Sequence, residues 1–365
     1  MLNNCTIAVV VPAFNEEKQI GAVIETMPDF VDKIIIVNDC SVDKTEEIVK
    51  SFWGEKSNKG ITTPDITKAV ISGRFERANL VLQSRMKTEL ELFPSSHIAN
   101  SDADSERIVL INMNRNGGVG AAVARGYKWC KDHAIDCVAK IDGDGQMDPD
   151  ELENICRPVI EDGIDYVKGN RLIHGGATMV IPRIRFLGNS ILSILTKIAS
   201  GYWSVSDTQT AFTAISNKAL NSIKIHKLYH SYGYPNDILV KLNIALCTIK
   251  EVGIKPIYEI GEESKMKIRK VIIPMSILLI KSFFKRLWIK YFFKDFHPLF
   301  VLYNLSFIIF IIWLPYLVKM TKIIISGNNA SMETLFAFTF LGVTSIQFLL
   351  FAMWMDIQNN EKLYK

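Results

Sequence analysis

The stretch Val138–Leu152, VAKIDGDGQMDPDEL, contains the pattern that decides the fold. A short apolar run, Cys137 to Ile141, stops at two aspartates, Asp142 and Asp144, separated by one glycine, and a helix-like pattern starts near Asp150. Continuous apolar runs of this length suit strands buried on both faces. Three more come earlier, Ile7–Val11, Lys33–Val37 and Arg107–Ile111, and the helix-like stretches that follow them start near Glu16, Asp43 and Gly120. This alternation predicts an α/β fold, a mostly parallel sheet flanked by helices. In such sheets ligands sit beyond the carboxyl ends of the strands. The candidate site is therefore the four turns found there: Pro12-Ala13-Phe14-Asn15-Glu16, Asn38-Asp39-Cys40-Ser41, Asn114 to Gly120, and Asp142-Gly143-Asp144-Gly145-Gln146.

The last turn has the sharpest chemistry. Two carboxylates one residue apart after a buried strand can face a common ion, and hard oxygen donors suit Mg²⁺ or Mn²⁺ carried by a diphosphate. Taken alone, the same turn also reads as an acidic cap for the helix that follows. The Gly-rich turn lacks the Lys-Ser/Thr of a P-loop, and Val123 occupies the third glycine position of a dinucleotide fingerprint. Asp39, and likewise Asn15-Glu16, would singly be ordinary helix-start residues.

Composition changes sharply toward the C-terminus. Leu299 to Val318 holds 20 residues without a charge and Thr334 to Met355 another 22; at 1.5 Å per residue each reaches about 30 Å, the apolar thickness of a bilayer. Two transmembrane helices are expected, about 299–318 and 334–355, with a short cytoplasmic tail. Lys265 to Lys294 precedes them with nine basic and no acidic residues. The chain carries 42 basic and 38 acidic residues, net +4, so removing those nine leaves 33 basic against 38 acidic. A mildly acidic body thus joins a cationic collar, and the positive-inside rule puts the body in the cytoplasm. On a helical wheel Phe283, Phe284, Leu287, Trp288 and Tyr291 share one arc flanked by Lys281, Lys285, Arg286, Lys290 and Lys294, as in an amphipathic helix lying among headgroups. Aromatic residues beside a membrane span speak against nucleic acid as the partner of these charges. Pro274 is expected to break the apolar stretch Val271–Ile280, making it interfacial and not a third span.

Residues 1–260 are expected to form the catalytic domain, with about 51–106 a long surface insertion that is helical near Phe75–Leu90, and 261–297 the basic juxtamembrane helices. The six cysteines lack metal-ligand spacing and are expected to be reduced thiols. The N-terminal apolar run lacks a basic region and a cleavage site, so no secretory signal is expected.

In order, VVVPAFNEEKQI, IIIVNDCSVDKT, NGGVGAAVARGY and VAKIDGDGQMDPDEL closely resemble the family 2 glycosyltransferases with the GT-A fold. KGNRL (Lys168–Leu172) and SDTQTAFTAIS (Ser206–Ser216) resemble the polyprenyl-phosphate branch, which includes dolichyl-phosphate mannose and glucose synthases. The resemblance covers about Thr6 to Ile260 apart from the insertion. It implies inverting, metal-dependent transfer of a sugar from a nucleotide diphosphate to a polyprenyl or dolichyl phosphate, and a UDP-sugar is expected as the donor. It implies that Asp142, Asp144 and Gln146 hold the metal and that Pro12, Ala13, Asn15, Glu16, Asp39 and Gly118 help to hold the nucleotide; Arg171, within the family-like KGNRL, and Arg183 and Arg185 are the candidate cations for the acceptor phosphate.

Two departures stand out. Asn38 replaces the first of two adjacent aspartates, and Val119 stands where many lipid-phosphate members carry lysine. A lipid monophosphate is largely dianionic at neutral pH and needs no general base. An acceptor hydroxyl would need one, and Asp237 in YPND stands where glycan-extending relatives carry theirs; alone it reads as a first-turn helix residue. The readings are therefore a lipid-phosphate sugar transferase, a glycan-extending transferase, and a non-catalytic membrane scaffold. Homo-oligomerisation stays open.

Overall fold

A computed structural model describes residues 2–53, 61–67, 76–173, 183–255 and 268–365. The four apolar runs become β1 (Ile7–Ala13), β2 (Lys33–Asn38), β4 (Ile108–Met113) and β5 (Cys137–Lys140), paired in parallel in the order β4-β2-β1-β5. Alternation along each strand feeds two apolar clusters. Val10, Val37, Ile111 and Val138 pack with the helix α4 (Val119–Asp132), whereas Val9, Val11, Ile36 and Ala139 pack with α1 (Ile20–Glu25) and α5 (Leu152–Ile160). Between these lie α2 (Thr45–Ser51), α3 (Glu76–Leu90) and the short strand β3 (Ser96–Ile98).

Four strands were not legible in the apolar runs. β3 lies antiparallel on β4, while β6 (Tyr166–Asn170), β7 (Thr213–Ser216) and β8 (Ile249–Gly253) extend the other edge, giving the order β3-β4-β2-β1-β5-β7-β6-β8. β7 runs antiparallel to both β5 and β6, so the sheet is mixed and helix-flanked, as the GT-A expectation required.

The insertion is more than a surface appendage. It supplies β3 and buries Phe93 in the core; Lys33, wholly buried, donates to the carbonyls of Asp104 and Glu106 at 2.8 and 2.7 Å. The expected helix is present as α3, which buries none of its residues.

The remaining helices are α6 (Arg183–Ser200), α7 (Asn217–Ser222), α8 (Tyr234–Ile244), α9 (Ile268–Trp288), α10 (Pro298–Ser326) and α11 (Met332–Glu361), with a π-helical turn at Ile289–Lys294. α10 and α11 are long and apolar enough to cross a membrane, with most of their apolar surface exposed. The Ser306 and Ser345 hydroxyls donate to each other's carbonyls at 2.9 and 3.1 Å, tying the two helices together.

Four expectations need correction here. Pro274 sits inside α9 and does not end it, since the helix continues to Trp288. The aromatic arc is divided: Phe284 and Trp288 are exposed, but Phe283, Leu287 and Tyr291 are buried with residues of α10 and α11, because the anchor itself covers that side. Arg286 and Lys290 do not snorkel; both are buried, Arg286 completely. Nor is the C-terminus a free tail. α11 reaches Glu361, and the last residues pair with the exposed edge of β8, where Ile249 N–H donates to Leu363 O at 2.7 Å and Lys365 N–H to Ile249 O at 2.9 Å.

Candidate active site

The turns after β1, β2, β4 and β5 meet at one end of the sheet. Asp39, 3% exposed, ties two of them together: its Oδ1 accepts from Gly117 N–H at 2.7 Å and its Oδ2 from Gly118 N–H at 2.8 Å, and its own N–H donates to Ala13 O at 2.9 Å. Burial pushes its carboxyl up, against the pull of those two N–H groups. Expected to contact a nucleotide base, Asp39 here has both oxygens committed to the Gly-rich turn, which makes it an organiser of the site. Asn15, at φ +56°, plays a similar part toward the second turn; its N–H donates to Ser41 Oγ at 3.0 Å and its Oδ1 accepts from Val42 N–H at 2.9 Å. The Glu16 N–H reaches Thr45 Oγ1 at 2.9 Å. Asn38, in the place of an aspartate, donates to Asn112 Oδ1 at 2.9 Å.

The Gly-rich turn lies against the loop before α8. Gly118 has φ +86°, and Gly120 N–H donates to His230 O at 2.7 Å. A Cβ on Gly120 would lie 2.0 Å from Tyr229 O and 2.9 Å from Tyr234 Cβ. The Gly120→Ala variant is expected to lose about 1–3 kcal/mol by overpacking, read as a lower unfolding temperature together with weaker nucleotide binding.

Asp142 and Asp144 are half-buried on their turn and Gln146 is exposed. Asp144 Oδ1 accepts from Gln146 N–H at 3.0 Å. Asp142 Oδ1 pairs with Lys140, a buried lysine that ends β5 and stands 5.8 Å from the centre of the Tyr234 ring. Tyr234 is 5% exposed, and among the described residues its hydroxyl has no hydrogen-bond partner. Sequence reading missed Lys140 and Tyr234; a lysine inside an otherwise apolar strand was the available signal. Among the described residues no three His, Cys, Asp or Glu side chains converge as a metal cage. The two carboxylates nevertheless fit an ion that brings most of its coordination shell with a diphosphate. Gly143 supports this fit, because a Cβ there would press to 3.2 Å of Pro12 O, so the turn lies close on β1.

Arg171 is held by Asp207 through Nε at 2.8 Å and Nη2 at 3.0 Å, so much of its charge is already matched. Burial would raise the Asp207 carboxyl, but the hydrogen bonds and charge of Arg171, with Lys168 behind, hold it below the usual range. Its stabilising contribution is therefore full above about pH 4 and is lost as pH falls through the depressed value. Glu251 completes the cluster by accepting from Ser206 and Asp207 N–H groups at 3.0 Å each. Lys168 is wholly buried and bonded to Thr210 O; burial lowers it to about 8, although Asp207 and Glu251 oppose the shift. Between about pH 8 and 10.5 the unfolded chain binds the proton that the folded chain has released, so this group's contribution rises with pH. The stability of the wild type relative to Lys168→Met should rise across that window by on the order of 3 kcal/mol at most, measured as unfolding temperature against pH.

Arg183 and Arg185 occupy the first turn of α6, and their side chains lie outside the described residues. Asp237 is 7% exposed; its Oδ2 accepts from Tyr229 N–H at 2.8 Å and pairs with Lys241. A carboxylate so engaged anchors the loop before α8, which speaks against its expected role as a free base.

Convergent turns at the carboxyl ends of a mixed sheet, two aspartates one residue apart on the last of them, and a nearby cluster of buried charges are the features expected of a sugar-nucleotide enzyme site on a GT-A-type fold. The chain belongs to glycosyl transferase family 2, whose model matches residues 8–62 and 94–224 and skips part of the insertion. It is 27% identical over 254 residues, 69% of this chain and 86% of the other, to a UDP-N-acetylglucosamine–dolichyl-phosphate N-acetylglucosaminyltransferase of Methanococcus voltae. With a dolichyl-phosphate beta-glucosyltransferase of Trichomonas vaginalis it shares 26% identity, covering 74% of this chain and 69% of that protein. A solved structure of glucosyl-3-phosphoglycerate synthase from Mycobacterium tuberculosis, with Mn²⁺ and UDP, aligns at 20% identity over 78% of this chain and 80% of that chain, with a TM-score of 0.47. The resemblance expected from the four turns is borne out, and the protein is a family 2 glycosyltransferase.

Proposed function

We propose that this enzyme transfers a sugar from a UDP-sugar to a polyprenyl or dolichyl phosphate at the cytoplasmic face of a membrane. The observation that carries the reading is the packing of α9. Met275 and Leu278 of α9 pack against Gly233 at the entry to α8, and Arg286 donates to the carbonyls at the end of α6, so the helices bordering the site rest on one that faces lipid on its other side. Both inner ends of α10 and α11 return to the catalytic domain, which agrees with a two-span anchor whose termini share one side. The named activities of the relatives from Methanococcus voltae and Trichomonas vaginalis favour the same acceptor class.

In this reading an oxygen of the lipid phosphate attacks the anomeric carbon, the bond to the diphosphate breaks on the opposite face, and UDP leaves with inversion. The acceptor is largely dianionic near pH 7, so no side chain has to remove a proton. Asp142, Asp144 and Gln146 would hold Mg²⁺ or Mn²⁺, which when bound offsets the charge on the departing diphosphate. Asp39 fixes the Gly-rich turn against which the nucleotide would lie. Arg171, oriented by Asp207, offers a cation to the acceptor. The test is a donor panel of UDP- and GDP-sugars with the full chain, dolichyl phosphate and Mg²⁺. Label should enter the lipid phase from a UDP-sugar and be lost with chelator; transfer from GDP-sugars only, or undiminished by chelator, would overturn the donor or the metal assignment.

A further inference from the structure

A second cationic site lies between α8 and α9. A cavity of about 220 Å³ is lined by Lys227, Asp237, Lys241, Lys281, Ser282 and Lys285, with Tyr229 and Leu278. Asp237 is matched by Lys241, which is itself only 9% exposed. That leaves Lys227, Lys281 and Lys285 lining one cavity, and among the described residues no ion pair joins any of them to a carboxylate. Three like charges around one space repel one another, and a dianion entering it would relieve that repulsion.

The position of the cavity indicates where the anion comes from. α9 exposes Ile273, Ile277, Ile280, Phe284 and Trp288, which fall on one arc of the helix. Lys281 and Lys285 directly follow Ile280 and Phe284, about 100° farther round at 3.6 residues per turn, so they form the border between the lipid-facing arc and the cavity. Cations at such a border sit at headgroup depth. We propose that this pocket binds the phosphate monoester headgroup of an anionic membrane lipid, with Lys227, Lys281 and Lys285 as its cationic contacts. A monoester offers close to two negative charges and three acceptor oxygens, matching three flexible point-charge donors better than a carboxylate or a zwitterion does.

The assignment is independent of the transfer reaction, and its test measures binding alone, with no donor present. Dihexanoyl phosphatidic acid is titrated calorimetrically into the detergent-solubilised full chain, with dihexanoyl phosphatidylcholine and inorganic phosphate as separate arms. Saturable binding of phosphatidic acid is expected, with inorganic phosphate weaker and phosphatidylcholine silent. Lys281→Gln/Lys285→Gln should weaken binding at least tenfold without lowering the unfolding temperature, whereas Lys322→Gln at the far end of α10 should leave it unchanged. Retained affinity in the double variant would overturn the site. Equal affinity for phosphatidylcholine would reduce it to an apolar contact, and equal affinity for inorganic phosphate would make it a free-phosphate site; either result overturns the headgroup assignment.

Discussion

Asp144→Asn is expected to lower the turnover number by about 10²–10³-fold, the scale observed when a group stabilising developing charge is removed. Asp144 is half-buried on an exposed turn, so its loss should cost little folding energy, within about 0.5 kcal/mol. Asparagine keeps the acceptor oxygen that receives the Gln146 N–H but removes the charge that would face a cation. Steady-state kinetics with varied Mg²⁺ or Mn²⁺ therefore separates two outcomes. A defect that eases as metal rises indicates lost metal affinity, as the account requires; an unchanged turnover number would remove Asp144 from the chemistry. Asp142→Asn should behave similarly, and it also leaves Lys140 buried without its carboxylate.

The largest effect on stability is expected at Asp356. Its carboxylate accepts from Arg286 Nη1 and Nη2 at 2.7 and 2.8 Å, from the Tyr291 hydroxyl at 2.6 Å and from Trp203 Nε1 at 3.2 Å. Arg286 in turn donates to the carbonyls of Ala199 and Ile198, both at 3.0 Å, and both partners of the pair are fully buried. One network thus joins the end of α6, the juxtamembrane helix and the inner end of α11. Removing one partner strands a buried charge, so Asp356→Ala should cost about 3–5 kcal/mol, seen as a lower unfolding temperature of the full chain. The double variant Asp356→Leu/Arg286→Met should recover much of this loss, because an apolar pair of similar volume substitutes well for a buried ion pair. A single variant as stable as the wild type would show that the network does not hold the anchor to the catalytic domain.

Much of the fold was legible because its central strands are buried on both faces and read as uninterrupted apolar runs. β6 and β8 escaped because lysines and a glutamate interrupt them: Lys168 is buried by pairing inside the fold, and Lys250 and Glu251 lie on an edge strand. The two long helices were visible from length and lack of charge, but their partners were not. A helical wheel shows which residues share an arc of α9 without showing that α10 and α11 cover half of it. Arg286 looked like a headgroup cation because its partner, Asp356, is 70 residues away and one position past the charge-free run. The candidate site shows the same limit. Its turns could be read from the chain, yet the engagement of Asp39 by two glycine N–H groups and of Arg171 by Asp207 depends on approaches that only folding brings about.

The most direct test of the central claim is the acceptor requirement, measured as label entering the organic phase when the full chain is incubated with a panel of labelled UDP-sugars, Mg²⁺ and either a polyprenyl phosphate or the matching polyprenol. A labelled lipid is expected with the phosphate and none with the alcohol, since the proposed nucleophile is one that is already ionised. Transfer to the alcohol or to a lipid-linked sugar, with none to the phosphate, would contradict the claim.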